Sequence, residues 1–410
     1  MVRQPTVSRK DGGDGGEGDV ESAPLRQFVL KAHSRCDLAC TYCYVYAGPD
    51  RSWRARPRTP SPRVRRRTAQ RIAEHAEKHA LPAISVVLHG GEPLLAGAEH
   101  LAETVEEIRT LVPPNCAVHP SVQTNATLLS PERLRVLSAA GIRVGVSLDG
   151  GRPAHNAQRV DHAGRPAWPA TAKGLRLLAE TAPEAYGGVL CVVDLRHDPV
   201  EVYESLLDFR PPAIDLLLPH GNWTSPPPGL PARARAQALS GDPAPLGAPA
   251  PYGHWLTAVF DRWWDDSKRR TRIRLFEECV ALLLGVPATI ERLGLQPFTA
   301  VVVETDGSIE QVDSLKSAYE GAAATGLDIF RHSFDDVLAH PAVAARQQGL
   351  AALSTICRAC DLVTVCGGGH YAHRYRAGHA FANPSVYCAD LAHLIRHVSR
   401  RLHEAAAGRR

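Results

Sequence analysis

From residue 25 onward, short apolar runs rich in β-branched residues alternate with stretches whose apolar residues recur at helical spacing. The runs are "LRQFVLKAH" (25–33), "AISVVLHG" (83–90), "AVHPSVQTN" (117–125), "RVGVSLDG" (143–150), "GGVLCVVD" (187–194) and "AIDLLLPH" (213–220). Between them lie amphipathic stretches such as "RRTAQRIAEHAEKHA" and "PERLRVLSAAG", the second closed by a glycine suited to a helix C-cap. Six strand–helix units in order predict a parallel sheet covered by helices, and near-continuous apolar runs suit strands buried on both faces. An open doubly wound sheet and a partial barrel both satisfy this pattern. Farther on, "FTAVVVETDGSIEQVD" predicts a hairpin turning at Asp306-Gly307, and "DLAHLIRHVSRRLHEA" predicts a packing helix.

Composition narrows the class. Of 410 residues, 44% are apolar and 22% charged, as in a globular protein. No apolar run reaches about 18 residues, so no membrane span is expected. The N-terminal stretch, "MVRQPTVSRKDGGDGGEGDVES", lacks an apolar signal core and predicts a disordered tail over residues 1–24 and a cytoplasmic location. A net charge of +4 gives no field suited to nucleic acid. Eight arginines in residues 51–67 read as a solvated loop leading into a helix, or as a docking patch for an acidic peptide. Residues 224–251, rich in proline, glycine and alanine, read as a linker that also lines a substrate entrance.

Ten cysteines in an intracellular chain are not expected to form disulfides. Cys116, Cys191 and Cys279 stand singly among apolar residues and read as small buried hydrophobes. The others cluster. Cys36, Cys40 and Cys43 follow the first strand with spacing C-x3-C-x2-C. Three thiolates suit a cubane cluster that keeps one iron free of protein ligands; a zinc site would need a fourth ligand, which His33 could supply. Gly90-Gly91-Glu92, Thr124-Asn125, and Ser147 with Asp149 end the second, third and fourth strands, the rim where such folds place their chemistry. Glycines admit close backbone approach, and the carboxylates and hydroxyls could hold an amine and a ribose.

With Tyr42 inside the cysteine loop, this combination resembles the radical S-adenosylmethionine (SAM) superfamily over residues 25–223. The resemblance implies a partial (β/α)6 TIM-type barrel in which Cys36, Cys40 and Cys43 hold a [4Fe–4S] cluster. SAM would bind the open iron. Gly90, Gly91 and Glu92 would sit at its methionyl amine, and Thr124, Asn125, Ser147 and Asp149 along its methionyl and ribose region. Tyr42 would touch the adenine, and Arg159 would pair the carboxylate. The implied chemistry is reductive cleavage of SAM to a 5′-deoxyadenosyl radical, with electrons from an external donor such as a flavodoxin or ferredoxin.

Cys357, Cys360 and Cys366, with Cys388 beyond, resemble the SPASM extension of radical SAM peptide-modifying enzymes. The implied architecture is a core (25–223), a linker (224–296) and a small C-terminal SPASM-like domain (297–410). Two family cysteine positions hold Val312 and His370 instead, so one auxiliary [4Fe–4S] cluster is expected with four thiolates, and His370 is expected to ligate nothing. Asp313 matches the family's aspartate base. "VVVETDGSIEQVDSLK", "VCGGGHYAHRYRAGHAFANPSVYCADL" and "LLLPHGNW" resemble the cyclophane-forming, FxsB-like maturases. That group implies a ribosomally made precursor peptide, cross-linked from an aromatic ring to a Cβ two residues on. His220, Asn222 and Trp223 are expected to face the peptide. Thioether formation, epimerisation and formylglycine formation remain alternatives within the class, and a zinc-binding structural protein outside it.

Overall fold

The computed structural model describes residues 22–230, 249–287 and 291–408. Most of the expected N-terminal tail and most of the proline-rich linker therefore lie outside the described residues. Six strands, β1 (Gln27–His33), β2 (Ala83–Gly90), β3 (Ala117–Thr124), β4 (Arg143–Ser147), β5 (Tyr186–Val192) and β6 (Ala213–Leu217), pair in parallel in chain order. β1 and β6 are not paired with each other, so the sheet curls into a partial barrel and stays open. Helices α1 (Pro62–Lys78), α2 (Ala98–Leu111), α3 (Pro131–Ala139), α4 (Trp168–Thr181) and α5 (Pro199–Leu207) return the chain between strands.

Three of these helices begin in the same way. Ser61, Ser130 and Asp198 each precede a proline in the first turn, and each side-chain oxygen accepts the backbone N–H three residues on, at 3.2, 3.2 and 2.8 Å. The oxygen satisfies an orphan donor, and the proline supplies a preset helical φ.

The strands are not uniformly apolar, and the reason is geometric. Along β2, Ile84, Val86 and Leu88 point outward and are buried in one core with Ile72, Leu101, Leu137 and Leu175 of the helices. The alternate residues Val87 and His89 point inward and are only partly buried. With Gln27, Ser121, Gln123 and Asp215 they line a cavity of about 500 Å³. The open barrel encloses a polar chamber instead of a filled core, so its inner positions carry side chains that a closed parallel sheet would exclude.

Beyond β6 come α6 (Pro251–Trp264), a two-residue β7 (Arg272–Ile273) paired with β6, and α7 (Arg274–Leu283). β8 (Ala300–Val303) then adds to the free edge of β1 in parallel, Gln27 opposite Ala300 and Leu30 opposite Val303. β9 (Ser308–Glu310) and β10 (Ala324–Asp328) extend the sheet antiparallel to ten strands. The β8–β9 turn is the Asp306-Gly307 pair: Gly307 has φ +89°, and Asp306 Oδ1 accepts the Ser308 N–H at 2.9 Å. α8 (Cys388–Ala407) packs on α6, where Asp390 accepts the Gly253 N–H at 2.9 Å. Among the described residues, no helix is long and apolar enough to cross a membrane.

Candidate active site and cluster loops

The first cysteine loop is built onto the ends of β1 and β2. After β2, Gly91 N–H and Glu92 N–H donate to the carbonyls of His33 and Arg35 at 2.9 and 3.0 Å, directly before Cys36. The two backbones meet so closely that side chains are excluded. A Cβ on Gly90, whose φ is +151°, would lie 2.2 Å from the His33 carbonyl, and one on Gly91 would lie 2.1 Å from the Tyr46 hydroxyl. On the other side, Ala39 and Thr41 donate to the carbonyls of Val160 and Gln158, so the segment carrying Arg159 is clamped to the same loop.

A cavity of about 180 Å³ opens between these pieces. It is lined by Cys36, Cys40 and Cys43, by Tyr42, Gly90 and Gly91, by Thr124 and Asn125, and by Ser147, Asp149 and Arg159. All the residues expected around one ligand converge there except Glu92. Glu92 lies one layer behind, fully buried. Its Oε1 accepts from Thr124 Oγ1 at 2.7 Å and Leu94 N–H at 3.0 Å, and its Oε2 from Asn125 N–H at 2.8 Å. Burial raises its pKa to about 7 against these hydrogen bonds. Glu92 thus joins the ends of β2 and β3 and does not present a free carboxylate to the cavity.

Tyr42, Asp149 and Arg159 form one buried unit. The Tyr42 hydroxyl donates to Asp149, and Arg159 Nη1 donates to the Tyr42 hydroxyl at 2.8 Å. Arg159 is not a surface cation: it is 6% exposed, and its Nε is a buried donor without a partner. An unpaired guanidinium donor at a cavity wall is a seat for an anion such as a carboxylate.

The second cysteine loop gathers against α7 and α8. Cys357 lies in the helical turn Thr355–Arg358, Cys366 ends the turn Val363–Cys366, and Cys388 opens α8. Burial, reinforced by the neighbouring cysteines, pushes the Cys366 thiol up to about 11 and that of Cys388 to about 12. Burial likewise raises Cys36 and Cys40, so a bound cation is what would hold these sulfurs as thiolates. In neither loop do three sulfurs all lie within 4.8 Å of one another. Ligands of one zinc ion, with Zn–S of about 2.3 Å, sit roughly 3.8 Å apart. The spread suits the corners of a cubane. The Leu38 and Leu362 N–H groups already point at Cys36 and Cys360 Sγ, at 3.4 and 3.5 Å.

Residues 367–369 show why three glycines follow Cys366. All three have positive φ, and their three carbonyls accept from one buried guanidinium, Arg374, at 2.7–3.0 Å. A Cβ on Gly367 would lie 1.7 Å from the Gly294 carbonyl. The loop is wound around Arg374, a partner that spacing alone does not reveal.

The larger cavity shares Tyr44, His89, Gln123, Leu190 and Leu217 with the smaller one, so the two adjoin across a common wall. Asp313 faces the larger one. Its Oδ2 accepts from Lys31 and lies 3.5 Å from His89 Nδ1, while its Oδ1 has no hydrogen-bond partner. Burial would raise this carboxyl, but Lys31 and Lys316 together hold it well below the usual range. Lys316 is itself enclosed by Glu304 at 2.7 Å and Glu310 at 2.8 Å. Burial and Lys31 lower His89 to about 4, so the ring beside Asp313 is neutral.

Of the three residues expected after β6, only His220 lines the chamber. Asn222 is fully buried and donates to the Ser317 carbonyl at 3.1 Å; Trp223 Nε1 donates to the Pro384 carbonyl at 2.8 Å. Both fasten the β6 loop to the C-terminal segment instead of facing a ligand. The arginine-rich segment is largely committed as well. Arg56 pairs with Asp306 and Glu310, Arg65 with Glu103 and Glu107, and Arg67 with Glu74. Cys116, Cys191 and Cys279 are buried in the core.

Residues 31–195, which hold the first cysteine loop and nearly all of the smaller cavity, match the radical SAM superfamily. They form a radical SAM domain. Such a domain works with a [4Fe–4S] cluster and SAM, and the three spread thiols, the glycine-floored cavity and the orphan Arg159 Nε fit both groups. The chain is 28% identical over 297 residues to the cysteine-type anaerobic sulfatase-maturating enzyme of Clostridium perfringens, spanning 71% of this chain and 74% of that one. It is 22% identical over 362 residues to the serine-type enzyme of Bacteroides thetaiotaomicron, spanning 84% and 82%. Its fold matches native anSMEcpe with bound AdoMet at a TM-score of 0.73 and 22% identity, covering 93% of this chain and 99% of that one. Streptococcus suis SuiB bound to precursor peptide SuiA matches at 0.53 and 16% identity, covering 86% and 72%.

Proposed function

We propose that this chain is a radical SAM maturase that cross-links a ribosomally made precursor peptide, joining an aromatic ring to the Cβ of a nearby residue. The observation that carries this reading is the pair of adjoining cavities. At about 500 Å³, the larger lies within the roughly 300–1,000 Å³ range of ligand pockets, more than one cysteine or serine side chain needs. It adjoins the smaller cavity and is lined by Asp313. The homologous sulfatase-maturating enzymes act on a protein class, and SuiB is seen with a precursor peptide, which supports a peptide substrate.

When bound at Cys36, Cys40 and Cys43, the cluster and SAM supply one-electron chemistry that removes a hydrogen atom from an unactivated C–H bond. Gly90 and Gly91 would admit the methionyl backbone, Thr124, Asn125 and Ser147 would lie along it, and Tyr42 and Asp149 would orient Arg159 towards the carboxylate. Cross-linking removes two hydrogens from the peptide: one as an atom, the other as a proton and an electron. Asp313 Oδ1 is the proton acceptor. A carboxylate stabilised by two lysines is a weak base, but a ring carbon that has just been attacked is strongly acidic, so a weak base suffices. Cys357, Cys360, Cys366 and Cys388 would hold an auxiliary [4Fe–4S] cluster able to take the electron, with an external flavodoxin or ferredoxin as reductant.

Arg159→Lys keeps the charge but loses the forked donor. SAM binding is expected to weaken about 10- to 100-fold, the loss of one charge-assisted hydrogen bond of roughly 1.5–3 kcal/mol, measured by equilibrium binding to the reconstituted enzyme. Unchanged affinity would remove Arg159 from the SAM site.

The reaction is tested by anaerobic co-expression with a small peptide encoded beside the gene, followed by tandem mass spectrometry. A loss of two hydrogens per cross-link is expected, with fragmentation suppressed between the aromatic residue and its partner. A second reading, formylglycine formation, is favoured by the sulfatase-maturating relatives. An aldehyde captured by a hydrazine reagent would establish it and overturn cross-linking.

A further inference from the structure

Apart from the cysteine loops, three groups of metal-capable side chains lie close together among the described residues. Two already hold a cation of the protein's own: Lys316 sits among Glu304, Glu310 and Asp313, and Lys78 pairs with Asp335 beside His75 and His79. The third holds none. His220, just after β6, and His370 and His373, just after the glycine triplet, each bring a ring nitrogen within 4.8 Å of the others. Their ring centroids are 5.4, 5.5 and 4.8 Å apart.

Hydrogen bonding does not explain this arrangement. His373 is 4% exposed and its Nε2 has no partner; His220 Nδ1 is also buried without one. His370 Nδ1 accepts only a long 3.3 Å contact from the Ala372 N–H, which costs little to give up. Buried ring nitrogens are normally satisfied, and two orphans facing a third imidazole call for a ligand. The surrounding charge permits a cation. The three nearby arginines are already bound, Arg292 to Asp215, Arg346 to Glu291 and Arg374 to the three glycine carbonyls. Burial keeps all three imidazoles in the neutral form that ligates.

We propose that His220, His370 and His373 bind a divalent first-row transition ion, of the zinc or iron(II) type, in the wall of the chamber. Imidazole is a ligand suited to these ions, and three protein ligands leave a coordination position open. With M–N of about 2.1 Å the nitrogens must stand roughly 3.4 Å apart, so the rings tilt inward as the ion binds. All three histidines line the chamber that holds Asp313, so the open position faces the space assigned above to the peptide. His370 is thereby a ligand, where the sequence alone suggested it binds nothing.

The test uses full-length enzyme reconstituted anaerobically with its iron–sulfur clusters, equilibrated with zinc and passed through gel filtration. Zinc, iron and sulfide are then counted per chain. The wild type is expected to retain about one zinc. His220→Asn and His373→Asn are expected to lose it with iron and sulfide unchanged, and His79→Gln to keep it. The proposal is overturned if the wild type retains no zinc, or if His220→Asn retains it. It is also overturned if zinc enters only as iron and sulfide leave, or if His79→Gln alone abolishes it. Should His373→Asn lose its clusters, His220→Asn decides. None of these readouts depends on peptide modification, so failure of the cross-linking reading and failure of the metal site are distinguishable.

Discussion

Cys40→Ala is expected to lose about four irons and four sulfides per chain and to show no SAM cleavage above background, while its circular dichroism stays that of the wild type. Cys40 is only partly buried and contributes no core packing. Its loop is held by backbone hydrogen bonds from Ala39 and Thr41 to residues 158–160, which the substitution leaves in place. Two remaining thiolates cannot retain a cubane against chelation. Cys360→Ala is the contrast. It belongs to the other loop and should also lose about four irons, from a wild-type total of about eight, yet still cleave SAM. Equal loss of SAM cleavage in both variants would mean that the second loop supports the first. One zinc per cysteine loop, with no labile sulfide, would sink the cluster assignment altogether.

The contrast between these loops also shows what could be seen in the sequence. The six parallel strands were legible because each apolar run ends in a polar or glycine-rich signal, and helix starts carried a Ser-Pro or Asp-Pro pair. The residues that line the smaller cavity were legible because they recur at strand ends, where a βα fold brings them to one rim. Glu92 was misplaced because strand-end position does not reveal depth: only the fold shows its carboxylate consumed by Thr124, Asn125 and Leu94. Asn222 and Trp223 were misread for a related reason, since polar atoms after a strand serve equally well to fasten a neighbouring segment. Lys31, His89 and Lys316 carried no signal at all. They surround Asp313 from β1, β2 and the turn after β9, separated by up to 285 positions in the chain. The three histidines likewise come from loops 150 and 153 residues apart and meet where the segment after the glycine triplet bonds to the loop after β6, Trp223 N–H donating to the Tyr375 carbonyl.

Asp313→Asn separates the two roles this carboxylate could play. If it accepts the proton lost during cross-linking, the variant should still cleave SAM at near the wild-type rate while product formation falls about 10²- to 10⁴-fold, the usual contribution of a positioned base. The substitution also leaves the Lys31 and Lys316 ammoniums short of a counter-charge in a buried site. Breaking such a pair costs about 3–5 kcal/mol, so a lower melting temperature is expected alongside. Adding Lys31→Met removes the stranded cation and should restore much of the stability. It cannot restore a base. Product formation that returns with stability would therefore make Asp313 structural, whereas a stable double variant that cleaves SAM and releases unmodified peptide would make it the proton acceptor. The sign of the pH dependence agrees with either role. A carboxylate whose folded pKa lies below its unfolded value of about 3.9 contributes stability in full above roughly pH 5 and loses it only on acidification. The difference in melting temperature between wild type and Asp313→Asn should accordingly stay constant from pH 6 to 8. A difference that shrinks as pH rises across that interval would place a protonated carboxylic acid, and not a carboxylate, opposite Lys31.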